Sequence, residues 1–107
     1  RPRRPRPGPV SLETYLSATY PELVRVLGEP NAPTDDYKTT TEWDLLGGRV
    51  RIYDWKATDR YDPELPSAAK LRSRSRRLNW HVGTDHSAEA DAEVARVRAA
   101  LRQARGR

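Results

Sequence analysis

The stretch YKTTTEWDLLGGRVRIYDWKA, residues 37–57, decides the fold. Its first half is rich in β-branched and aromatic residues, which suit a pleated, half-buried surface. Side chains alternate between the two faces of a strand. Tyr37, Thr39, Thr41, Trp43 and Leu45 therefore share one face, and Lys38, Thr40, Glu42 and Asp44 share the other. Gly47-Gly48 is a hairpin-turn signal. The return strand, 49–57, points Val50 and Ile52 one way and Arg51, Tyr53 and Trp55 the other. Bulky residues on both faces predict a strand that is buried, or used, on two sides.

Working outward, LNWHV (78–82) reads as a third short strand. Beyond it, Asp85 or Ser87 can cap a helix over roughly 87–104, where Ala90, Val94, Val97 and Leu101 recur at helical spacing. Upstream, SLETYLSATY (11–20) opens on Ser11 as an N-cap, and Leu12, Tyr15 and Leu16 fit one helical face. A second helix is expected over 20–30, with Pro21 early, a stripe of Leu23, Val24 and Leu27, and Gly28 as its stop. The predicted fold is α+β: an N-terminal helix or helix pair, an antiparallel meander of at least three strands, and a C-terminal helix packed on the sheet. Residues 1–10 read as a disordered basic Pro/Arg tail, and 11–107 as one small domain with a long basic loop at about 58–78.

Of the 107 residues, 36% are hydrophobic and 33% charged, so the core is small and a second copy is an expected aid to stability. The absence of cysteine excludes disulfides, thiolate metal sites and thiol catalysis. No apolar run approaches the ~20 residues of a membrane-spanning helix, so no membrane partner is expected and a cytoplasmic location is. The net charge is +5, but its placement matters more than its size. Without the four tail arginines, 16 cations face 15 anions; without 70–77 as well, 11 face 15. The expected folded body is thus mildly acidic, with its positive charge on a tail and a loop.

The order VLGEPN, the 37–57 hairpin, NWHVG and a short Ala-rich helix resembles small phage-encoded α+β proteins of actinobacterial viruses. The likeness covers about 22–100, leaving the basic tail and the Arg-Ser run outside it. The resemblance implies a viral origin, action in the cytoplasm of an infected host and an accessory role such as interference with a host pathway. It supplies no catalytic residues.

Several clusters bear on function. Lys70, Arg72, Arg74, Arg76 and Arg77 are spaced by serine and leucine, which in an extended segment places the cations on one side. Guanidinium forks match phosphate oxygens, and a solvated loop is the plainer reading. Arg51, Tyr53 and Trp55, with Lys38, Glu42 or Asp44 as the candidates opposite on the 37–46 strand, form a strand face with three readings: a platform for bases, an interface for a second copy or another protein, or core beneath the C-terminal helix with Val50 and Ile52 outermost. His81, Asp85 and His86 lie close in sequence, but a strand and a glycine turn separate them, and no metal or other cofactor is expected. Asp54, Asp59, Asp62 and Glu64 read as turn-forming acids. The combined expectation is a non-enzymatic protein that engages an anionic partner, nucleic acid or a nucleotide-like signal, through Arg51, the 70–77 cations and the Tyr53/Trp55 platform. The alternative is a module that inhibits a host protein through its aromatic sheet face, with the arginines only solubilising or steering.

Overall fold

The computed structural model describes residues 10–73 and 77–106. The fold is α+β. Strands β1 (Ser11–Ala18), β2 (Glu42–Leu45), β3 (Val50–Tyr53) and β4 (Leu78–Thr84) form one antiparallel sheet in the order β1-β4-β3-β2. Helices α1 (Tyr20–Leu27), α2 (Ala68–Ser73) and α3 (Ala88–Arg105) complete the chain. β2, β3 and β4 are the expected meander. β1 is an addition, lying antiparallel along the outer edge of β4.

β1 corrects the expected first helix. Leu16 and Ala18 are buried while Tyr15 and Ser17 are exposed, which is a period of two. Leu12 and Tyr15, assigned to a buried helical stripe, are 46% and 50% exposed. Seven residues of β1 pair with β4, and this long-range ladder overrides a local helical spacing that only a few residues supported. Helix formation starts later, where Thr19 and Glu22 make a reciprocal capping box and Pro21 sits in the first turn. It stops at Gly28, whose φ of 83° favours glycine.

The hairpin between β2 and β3 turns through Leu46–Gly48. Gly47 takes φ 66° there, as the glycine pair predicts. β2 is shorter than its sequence suggests, because Thr39 donates to Asp35 while Thr40 and Thr41 bind Asp54. Thr40 N–H, Thr40 Oγ–H and Thr41 N–H all donate to its buried carboxylate, at 2.8, 2.7 and 2.8 Å.

Trp43, Val50, Ile52, Trp80 and Val82 join Leu16, Leu23 and Leu71 in one core with Ala90, Val94, Val97 and Leu101, the predicted stripe of α3. The Trp43 and Trp80 rings meet edge to face at 5.6 Å, and each indole N–H reaches a backbone carbonyl, of Gly28 and Ala18 respectively. The reading that put Val50 and Ile52 outermost is overturned: they are 0% and 1% exposed, and Tyr53 and Trp55 face the other way. The 58–78 segment is also not a continuous loop. α2 interrupts it and buries Leu71 against the core, a lone apolar contact too sparse to show as a periodic pattern.

Candidate functional site

With the helices and the core on one side, the sheet's other face carries a cross-strand row. Register places Tyr15 of β1 opposite His81 of β4, His81 opposite Tyr53 of β3, and Tyr53 opposite Glu42 of β2. Adjacent strands lie ~4.8 Å apart, so the rings touch. His81 meets Tyr15 edge-on at 5.0 Å and Tyr53 at 5.5 Å. Trp55, just past the end of β3, closes the group at 6.2 Å from both Tyr53 and His81. Trp55 is 40% exposed, unlike Trp43 and Trp80, which are buried.

Two ammonium groups sit over the Trp55 ring, Lys38 Nζ at 5.8 Å and Lys56 Nζ at 5.4 Å from its centroid. A hydrogen bond from Lys56 N–H to the Lys38 carbonyl holds the two segments together. Lys56 also lies 5.0 Å from the Tyr61 ring, which in turn packs on Tyr37. The result is an exposed aromatic platform with cations at one rim.

The next row toward the hairpin is ionic. Arg51 stands between Asp44 Oδ1 at 3.6 Å and Glu42 Oε2 at 3.8 Å, contacts too long for hydrogen bonds. Burial, reinforced by Asp44, pushes the Glu42 carboxyl up to about 7. Burial lowers the basicity of His81, against an opposing pull from Asp54. Asp44 Oδ1, Arg51 Nε and His81 Nδ1 are buried polar atoms that make no hydrogen bond among the described residues, and all three belong to this face.

The predicted site residues fare unequally. Tyr53 and Trp55 lie together on the open platform. Arg51 shares their face but is flanked by two carboxylates, so its charge is largely balanced locally. Lys70 and Arg72 sit on α2, not on an extended segment, so the expected alternation of cations to one side does not form there. Arg72 is a structural clamp: it donates to the Thr40 carbonyl at 2.9 Å and to Thr41 Oγ1, and its guanidinium lies over the Tyr20 ring. Arg77 is 3.9 Å from Glu22 and 55% exposed. Arg74 and Arg76 lie outside the described residues, as does the tail 1–9. β4 begins at Leu78, opposite Ala18, at the end of the sheet where β3 gives way to Trp55 and Lys56. The described part of the basic segment nevertheless lies with the helices, since Leu71 of α2 packs into the core and Arg77 faces Glu22 of α1, and it does not join the platform.

Sequence reasoning placed Lys38 opposite this face but missed Tyr15, which a helix assignment had turned inward, and Lys56 at Trp55. His81, Asp85 and His86 do not converge: Asp85 pairs with Arg49 at 3.0 Å and His86 with Glu13 at 3.2 Å. Among the described residues no three His, Cys, Asp or Glu side chains group as metal ligands, and no helix is long and apolar enough to cross a membrane. No family model, curated protein or solved structure matches the chain.

Proposed function

We propose that this protein binds a base-bearing anion, a nucleic-acid strand or a nucleotide, on the helix-free face of its sheet. The observation that carries the reading is the contiguous Tyr15–His81–Tyr53–Trp55 platform with Lys38 and Lys56 over its exposed tryptophan. Bases stack on such rings for about 1–3 kcal/mol each, and lysines at the rim attract the phosphates. In the phage setting that the sequence resembles, such a protein interferes with its host by sequestering the nucleic acid or nucleotide.

The test is titration of the full chain with an oligothymidylate of about ten nucleotides, within the range of a stacking platform, followed by tryptophan fluorescence and calorimetry. Trp55→Ala and Tyr53→Ala should each weaken binding about tenfold or more. Affinity should fall steeply between about 50 and about 200 mM salt, and Lys38→Ala or Lys56→Ala should each lower the log–log salt slope by about 0.7. No binding at low salt would overturn the reading. A second reading is favoured by the exposed apolar groups Leu12, Tyr15 and Trp55, which suit a protein interface. A partner protein whose binding ignores salt but is lost in Trp55→Ala would identify that case.

A further inference from the structure

At the opposite end of the sheet, three side chains far apart in sequence form a different arrangement. Register pairs Ser11, the first residue of β1, with Thr84, the last of β4. His86 follows two residues later and turns back over this pair. Ser11 Oγ lies 2.8 Å from His86 Nε2. On the other side of the ring, His86 Nδ1 lies 3.2 Å from Glu13 Oε1. A hydroxyl on one imidazole nitrogen and a carboxylate on the other is the connectivity of an activated serine nucleophile. The Glu13 carboxylate beside Nδ1 favours the tautomer that carries its proton there, and in that tautomer Nε2 is the atom that takes the serine proton.

The arrangement is held from below by Thr84, which is fully buried. Its hydroxyl donates to Glu13 Oε1 at 2.6 Å and accepts the His86 backbone N–H at 3.0 Å. One side chain thus positions both the orienting carboxylate and the base. His86 itself is held at φ 61°, a conformation that non-glycine residues adopt at some energetic cost. An open groove of about 480 Å³ between β1 and α3 begins at Glu13 and His86 and continues past Val94, Ala95 and Arg98, with Asp91 also in its wall. Val94 and Ala95 supply its apolar surface, and its mouth at His86 lies beside Ser11, leaving room for a small acyl group.

We propose that Ser11, His86 and Glu13 form a hydrolytic triad acting on small activated acyl esters, with Thr84 as a positioning residue. In the reaction Ser11 Oγ bonds to the ester carbonyl carbon while its proton passes to His86 Nε2. Collapse of the tetrahedral adduct breaks the bond to the leaving alcohol, which carries away that proton. Water then adds to the acyl-serine, again giving its proton to His86, and the acid departs as Ser11 recovers its own. This site is separate from the aromatic platform and does not depend on it.

The experiment uses the full chain and a fluorophosphonate probe, with intact-mass and peptide mass spectrometry as the readout and p-nitrophenyl acetate hydrolysis alongside. The expected result is a single adduct on Ser11, absent in Ser11→Ala. Labelling should slow by about 100-fold or more in His86→Ala, and less in Glu13→Gln. Thr84→Ser, which keeps the hydroxyl, should label faster than Thr84→Val, whereas a purely packing role for Thr84 would not make that distinction. Far-UV circular dichroism of each variant checks that it is folded. No adduct on Ser11, or equal labelling of wild type and a folded His86→Ala, would overturn the proposal. Because neither readout involves a nucleic acid, the outcome is independent of binding at the platform.

Discussion

Asp54 illustrates how a single residue departs from its composition-level reading. In sequence it groups with the turn acids at 59–64. In the fold it is 3% exposed and accepts three hydrogen bonds from Thr40 and Thr41. It ties the end of β3 to the approach to β2, and so fixes where Trp55 and Lys38 stand. Asp54→Ala leaves three donors without their acceptor in the interior, each worth about 1–3 kcal/mol. We expect a loss of about 3 kcal/mol or more in urea denaturation, with Asp54→Asn losing less because its carbonyl still accepts. A loss below about 1 kcal/mol in Asp54→Ala would show that water replaces the carboxylate. Arg51 makes the complementary point: its alternation in the strand was legible, and Lys38, Glu42 and Asp44 were the candidates opposite it, but the choice of the two acids was not, because cross-strand register is a property of the folded hairpin.

At the scale of elements, α3 was readable nearly residue for residue. Ser87 caps it, accepting from Ala90 N–H at 3.1 Å, and its four-residue stripe is the buried one. The basic residues at its C-terminal end have more specific work than the dipole alone suggests. Arg98 donates to the Tyr15 carbonyl and Arg105 to the Ser17 carbonyl. These guanidinium groups occupy carbonyls of the edge strand β1, a recognised protection against unwanted strand pairing. Arg105 also binds Glu22, the capping-box acid of α1, at 2.8 Å. Together with the Thr19 backbone N–H, this contact lowers the Glu22 carboxyl to about 2. A carboxylate held below its unfolded value contributes stability above about pH 4.5 that disappears as pH falls toward 2. Glu22→Ala should therefore cost about 1–2 kcal/mol near pH 7. The gap between mutant and wild type in thermal unfolding should close as acid is added; a gap that persists at pH 2 would assign the loss to packing.

For the molecule as a whole, the open face sets the pH dependence through two opposed groups. Glu42 rises to about 7 in the fold from an ordinary 4.5. The folded state then holds a proton that the unfolded chain releases, so this contribution weakens as pH climbs from 4.5 through 7. His81 is lowered from 6.5, so its contribution weakens as pH falls through that value. Glu42→Gln should be more stable than wild type at pH 8, by roughly 2 kcal/mol, and the advantage should vanish near pH 4.5. Equal stability at both pH values would mean that Arg51 fully compensates the charge.

Read alone, the sequence determined the α+β class, the glycine hairpin, the face of Val50 and Ile52 in alternation, and the C-terminal helix with its cap and stripe. Each of these is a short-range property: a turn, an alternation or a helical repeat that one segment expresses by itself. Only the tertiary structure decided that residues 11–18 are a strand, that one face is left without helices, and which side chains gather on it. β1 owes its form to a ladder with residues sixty or more positions away, and the platform draws one ring or more from each of β1, β4 and the end of β3. Such contacts depend on register between distant segments, which burial of a shared core selects and local spacing does not encode.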